Sequence, residues 1–281
     1  KSIGALAQED IAGFQKANWR PDNAVLVIAG DISADGGFAL AESTLGSWAR
    51  PETPPPTTTA GAAKASKAGA IAIDVPQIGQ AAVFLGRTGP ARTAADYFPT
   101  LVANNVLGGG YSARLNAEIR IKRGLSYGAN SSLASRKESA PIIGLAQTRN
   151  DAVPQVIDLM TAEFKRLGEQ PIPAAELDAR KAVLIGGFGR SVETTGGLAG
   201  QLSALAQFGL PPDKLQTYSA DVGAVTAEQA AVAARIHYDP ANAFLIVVGD
   251  AKQFWNAIKG KRAGFEKIDI GKLNLDSATL K

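Results

Sequence analysis

An ungapped internal repeat constrains this chain more than any other feature. Residues 6–31, LAQEDIAGFQKANWRPDNAVLVIAGD, align with residues 225–250, VTAEQAAVAARIHYDPANAFLIVVGD, when residue 6 is set against residue 225. Glu9 meets Glu228, Pro21 meets Pro240, Asn23 meets Asn242, Gly30-Asp31 meets Gly249-Asp250, and Trp19 meets Tyr238. Both copies follow one physical order. A helical pattern runs into aromatic-x-Pro-x-Asn, where proline fixes φ and ends the helix. A short apolar run follows, Val25–Ala29 in one copy and Phe244–Val248 in the other, and reads as a buried strand closed by Gly-Asp. Thr226 stands where an N-cap is expected before the second helix.

Residues 51–70, PETPPPTTTAGAAKASKAGA, show no apolar periodicity. Their Pro, Thr, Ala and Gly content is that of a linker, stiff at its Pro-rich start and looser beyond. Repeat and linker together imply two homologous domains, residues 1–50 as the C-terminal tail of a first and residues 71–281 as a complete second. The chain starts at Lys1 without an initiator Met or a signal-like apolar segment, and so reads as processed or as a piece of something longer.

Within the second unit, Ile71–Val75 and Gln80–Arg87 read as strands. A helix is expected over 92–107, with Phe98, Leu101, Val102 and Val106 on one face, and another over 112–123, stopped at Gly124. Leu125–Ser135 and Ile142–Thr148 form an expected hairpin. Val153, Val156, Ile157, Met160, Phe164 and Leu167 recur at helical spacing. Further helices are expected near 173–187, 195–208, 226–236 and 252–259, with a strand over 243–248. Strands grouped with blocks of helices indicate an α+β fold, an antiparallel-rich sheet with helices packed on one face.

Composition narrows the function classes. The absence of cysteine excludes disulfides and thiolate metal sites. The net charge is only +3, and the longest basic cluster is Lys259-Gly260-Lys261-Arg262, too short for the basic stripe that nucleic-acid binding needs. No apolar run reaches the length of a membrane span.

The segment LGGGYSARLNAEIRIKRGLSYGANSS, residues 107–132, reads as a glycine turn, a short helix, a glycine stop and a strand carrying Tyr127. Gly108-Gly109-Gly110 would permit a tight, open turn into the helix. No Gly-Lys-Ser/Thr follows, so it is not a phosphate loop. Leu115 and Ile119 form the apolar stripe, and Arg120, Lys122 and Arg123 stand in the last turn, where cations complement the helix dipole. Read from the residues alone, Arg120 is a helix-end cation and Tyr127 a half-buried strand residue.

The pattern GGG-x-S-x-R-L…R-x-x-x-G-L-x-Y, together with the aromatic-x-Pro-x-Asn…Gly-Asp repeat, resembles the M16 (pitrilysin and mitochondrial processing peptidase) family in its C-terminal, non-zinc-binding domain. The resemblance spans most of residues 6–250. It implies that Arg120 grips substrate backbone beside Gly108, Gly109 and Gly110. It implies that Tyr127 helps stabilise the tetrahedral intermediate, as an auxiliary to a zinc site elsewhere. Zinc is then expected in a partner domain or subunit, and peptide is the expected substrate. A bacterial envelope location is suggested by the resemblance and the lack of cysteine.

The zinc signature of that family, His-x-x-Glu-His, is absent. The one histidine, His237, cannot build a catalytic zinc site alone and reads as a helix-end residue. The chain is therefore not expected to cut peptides by itself. Glu118, Glu176, Asp178 and Glu193 read as solvated surface, and Trp19, Trp48 and Trp255 as local packing. No Gly-x-Ser-x-Gly supports a serine nucleophile. The alternative reading is a non-catalytic M16-like scaffold or peptide-binding protein. Finally, Val25–Ala29 is a buried-type strand without an evident sheet. Residues 1–50 are accordingly expected to pack on the second unit or to associate with another molecule, including another copy of this chain.

Overall fold

The computed structural model describes residues 3–56, 68–277 and 280; residues 57–67 of the expected linker lie outside the described residues. In chain order, helices α1 (Gln8–Asn18) and α2 (Ala34–Leu45) precede strands β1 (Gly69–Asp74) and β2 (Gln80–Gly89). Helix α3 (Tyr97–Gly108) and the single turn α4 (Arg114–Asn116) lead to strands β3 (Ala129–Leu133) and β4 (Ala140–Arg149). Helices α5 (Val153–Glu169), α6 (Ala174–Ser191), α7 (Thr195–Gln207), α8 (Lys214–Gly223) and α9 (Ala227–His237) follow. Strand β5 (Phe244–Gly249), helix α10 (Ala251–Ile258) and strand β6 (Glu266–Asp269) come last. The chain divides into two compact units: Lys1–Gly61 with Gly187–Gln216, and Ala62–Gly186 with Thr217–Lys281.

The second unit holds a six-stranded sheet in the order β3-β4-β2-β5-β1-β6. The β3–β4, β4–β2 and β2–β5 pairs are antiparallel, whereas β1 runs parallel to both β5 and β6. The α+β architecture with an antiparallel-rich sheet is therefore present. Alternation along the strands turns Ala81, Val83, Leu85, Leu245 and Val247 into a core shared with Val102 and Val106 of α3 and with Phe254 and Ile258 of α10. All six periodic residues of α5 are buried in that core. A Cβ on Gly144 would stand 2.8 Å from the Phe164 ring, so β4 gives up a side chain where α5 inserts its largest one.

Two expectations change here, and two elements were not foreseen. Helix α3 begins at Tyr97 rather than 92, because the Arg92 N–H donates to the Arg136 carbonyl and holds that stretch against the β3–β4 connection. Helix α8 and strand β6 were not legible. Val222 is the one fully buried residue of α8 and Ile268 that of β6, too little for a periodic signal. The predicted strand Val25–Ala29 forms no ladder, since no neighbouring strand pairs with it among the described residues.

The repeat survives in local structure but not in burial. Both proline turns are short 3₁₀ helices, Pro21–Asn23 and Pro240–Asn242. Thr226 caps α9 by accepting from the Gln229 N–H at 3.1 Å, and Gln229 Oε1 accepts from the Thr226 N–H at 2.9 Å. At the matching start of α1, the Ala7 N–H donates to Asp10 at 2.9 Å. Yet Trp19 is 71% exposed where Tyr238 is 0%, and Leu26 is 55% exposed where Leu245 is 1%.

Candidate functional site

The glycine triple begins as packing. A Cβ on Gly108 would fall 2.1 Å from the Ser131 backbone nitrogen, so only glycine lets the end of α3 lie against β3. Ser131 Oγ donates to the Asn104 carbonyl at 3.2 Å and reinforces that contact. On Gly109 a Cβ would meet Asn105 at 2.5 Å. None of the three glycines has a positive φ, so what Gly108 and Gly109 provide is close approach and not a left-handed turn. Gly110 alone of the three is exposed.

The expected helix over 112–123 is broken into two pieces. After α4, residues Ala117–Ile121 form a π-helical turn, closed by the Lys122 N–H donating to the Ala117 carbonyl at 3.0 Å. Such a turn widens the backbone ring by a residue and redirects the side chains it carries, a device concentrated at functional sites. Arg120 lies on it. Gly124 ends it at φ +60°, the left-handed stop expected from the sequence. Asn116 ties the segment together: its Nδ2 donates to the Tyr111 carbonyl at 2.6 Å, and its Oδ1 accepts from the Ala129 N–H at 3.2 Å.

Tyr127 is not on a strand, because β3 starts at Ala129. It occupies a bend in which Ser126 Oγ donates to the Gly128 carbonyl and accepts from the Gly128 N–H at 3.0 Å. This bend leaves the phenol 88% exposed, not half-buried. The Arg120 guanidinium carbon lies 4.8 Å from the centre of the Tyr127 ring and 5.0 Å from that of Tyr111, which is 66% exposed. Tyr111 is thus a third member of the site that sequence reasoning missed. Its only signal was an aromatic at the variable position of the glycine turn. The Arg120 side chain has no ion pair and no hydrogen bond among the described residues, so its donors remain available.

Two carboxylates expected to be solvated surface are engaged. Glu118 accepts from Lys122 and from Arg123, at 2.6 Å for the latter. The Lys122 hydrogen bond, opposed by burial and assisted by Arg123, holds its carboxyl below the usual range. Glu176 receives both Nε and Nη2 of buried Arg114, at 2.9 and 2.7 Å. Arg180 is also buried and donates to Ser112 Oγ at 3.1 Å. Desolvation lowers its pKa, the Glu176 charge raises it and the Arg114 charge lowers it further. Asp178 and Glu193 are exposed.

His237 Nε2 lies 2.7 Å from Asp96 Oδ2, at the C-terminal end of α9. It fits the helix-end role and is already engaged. No group of three or more His, Cys, Asp or Glu residues suited to a metal lies together among the described residues. No helix there is long and apolar enough to cross a membrane. Trp255 packs edge-on against Phe265 at 5.5 Å, as expected of a local packing residue, whereas Trp19 does not.

The sequence profile described as "Peptidase M16 inactive domain" matches residues 5–184. An uncharacterized zinc protease of Streptomyces coelicolor is 26% identical over 204 residues, which cover 72% of this chain and 44% of that protein. The chain therefore spans less than half the length of this curated relative. The crystal structure of a peptidase M16 inactive domain from Pseudomonas fluorescens superposes with a TM-score of 0.81 at 25% identity, covering 88% of this chain and 59% of that one. A protease from Helicobacter pylori superposes with a TM-score of 0.78 at 20% identity, covering 88% and 60%, a likeness of fold.

Proposed function

The chain belongs to the peptidase M16 inactive-domain family, and from that premise we propose that it offers Arg120 and Tyr127 to a zinc site carried by another domain or subunit. The observation that carries this reading is the unpaired Arg120 guanidinium, held beside an exposed phenol on a π-helical turn. Buried or paired cations do structural work. A half-buried, redirected guanidinium with no ion pair and no hydrogen bond among the described residues is placed for a ligand. The residues of this chain do not fit a zinc site, since His237 is taken by Asp96 and no ligand cluster lies among the described residues. Zinc in the partner would supply the activated water.

Within that reading, Arg120 donates N–H groups to a peptide carbonyl beside the exposed turn at Gly110. Gly108 and Gly109 support the turn from beneath. The Tyr127 hydroxyl donates to the oxygen on which negative charge grows, where a positioned donor has its largest effect. Residues 1–50 are, in the same reading, the end of a first homologous domain. Supporting this, positions buried in the second copy are exposed in the first.

The test is to combine the chain with a zinc-bearing M16 partner and assay peptide cleavage. Cleavage should need both, and Arg120→Ala or Tyr127→Phe should reduce it without changing assembly. Unchanged turnover in both variants would leave the scaffold reading in its place.

A further inference from the structure

We infer that the surface around Arg120 selects acidic peptide segments, a carboxylate pairing with the Arg120 guanidinium between Tyr111 and Tyr127. This rests on the reading of Arg120 and Tyr127 as peptide-gripping groups and adds a substrate class to it. The Arg120 donors form a planar fork that matches a carboxylate through two parallel hydrogen bonds. The nearest carboxylate in sequence, Glu118, does not compete, because Lys122 and Arg123 already occupy it.

The charge beneath the turn points the same way. Arg114 is paired with Glu176, whereas buried Arg180 donates to Ser112 and has no ion pair among the described residues, so the group keeps one positive charge in excess. Arg114 Nη1 and Arg180 Nε are buried with no hydrogen-bond partner. Arg180 Nη1 lies 3.7 Å from the position a Cβ on Gly110 would take, directly under the exposed turn. Water and salt screen a buried charge far less than a surface one, so its field reaches the turn. Across the site five cations (Arg114, Arg120, Lys122, Arg123, Arg180) face two carboxylates (Glu118, Glu176). A neutral backbone carbonyl leaves that excess unanswered, and an acidic side chain next to it does not.

The experiment is fluorescence anisotropy of the full chain with three labelled extended peptides that differ only in a central Glu, Gln or Lys. The Glu peptide should bind about tenfold more tightly than the Gln peptide at low salt, the equivalent of one favourable charge pair. The Lys peptide should bind most weakly, and the differences should shrink as salt is added. Arg120→Gln should abolish the Glu preference, and Tyr111→Ala should reduce it while leaving the melting temperature in place. Equal binding of all three peptides, still weakened by Arg120→Ala and Tyr127→Phe, overturns the acidic preference and keeps the peptide-gripping reading. Absent binding, or binding indifferent to Arg120 and Tyr127, overturns both.

Discussion

The Arg120 guanidinium carbon sits 4.8 Å from the centre of the Tyr127 ring, and no carboxylate among the described residues pairs with it. Both side chains belong to surface segments outside the regular helices and strands, and neither contributes to the core. Removing the Tyr127 hydroxyl should therefore separate function from stability. In a cleavage assay with a zinc-bearing partner, Tyr127→Phe should lower kcat by about 10²–10³-fold, the range for one lost oxyanion donor. Thermal unfolding of the same variant should shift by no more than about 0.5 kcal/mol, as for exposed positions generally. A large loss of stability with normal kcat would reverse the assignment.

The glycine turn makes a sharper structural prediction. Gly108→Ala places a methyl 2.1 Å from the Ser131 backbone, which cannot swing aside like a side chain. About 2–3 kcal/mol of stability should be lost as α3 is pushed off β3. At Gly110 the added methyl meets only ordinary contact at 3.7 Å, and the cost should stay below about 0.5 kcal/mol. Denaturant titration of the two variants side by side measures the contrast, and equal effects would refute the packing account.

Two buried guanidiniums, Arg114 bonded to Glu176 and Arg180 bonded to Ser112, stand against that one carboxylate, so the two sides of the group should respond unequally. Arg114→Met leaves Glu176 near Arg180, whose charge already interacts with it, and should cost about 2 kcal/mol. Glu176→Gln leaves two buried cations facing each other and should cost more, about 3–5 kcal/mol, as for a buried pair stripped of one member. Urea unfolding of both variants and the double mutant gives the comparison; a costlier Arg114→Met would contradict it.

Acid should act in part through Glu118. Its folded-state pKa is depressed, chiefly by the Lys122 hydrogen bond, below the unfolded value of about 4.3. The native state then binds fewer protons than the unfolded one across that interval. The contribution is complete above the unfolded value and disappears as pH falls through the folded one. Lys122 is exposed, so the whole effect should be under about 1 kcal/mol. Glu118→Gln should match the parent protein's stability at strongly acidic pH and fall below it near neutrality. A constant offset at every pH would argue against the mechanism.

Much of the fold was legible because its signals are local. The six-residue stripe of α5, the Thr226 cap and the two proline turns each follow from spacing and side-chain chemistry alone. The site was legible in its residue types but not in its geometry. Helical periodicity cannot distinguish an α-turn from the π-turn at 117–121, because the difference lies in one inserted residue of the backbone ring. Nor can it place Tyr111 over Arg120, since that contact depends on the Asn116 clamp. The Glu176–Arg114 pair was hidden for a related reason: its partners are far apart in sequence and meet only in the folded unit.

The unequal burial of the two repeat copies carries the last prediction. Trp19, Leu26 and Ile28 occupy positions that in the second copy are the buried Tyr238, Leu245 and Val247, and all three are exposed. In that copy, β5 is flanked by β1 and β2. The segment 25–29 thus has a strand's composition and, among the described residues, no paired neighbours, a condition that favours association. Amide exchange over residues 25–29 should be fast in the chain alone, and Trp19 fluorescence should report a wet indole. Supplying a zinc-bearing M16 domain should slow that exchange and shift Trp19 emission to the blue, with Trp48→Phe and Trp255→Phe introduced to isolate the signal. Self-association that slows the same amides in the chain alone, and that Leu26→Lys abolishes, would instead make a second copy the partner. Fast exchange under both conditions would mean that the exposed segment is not an interface.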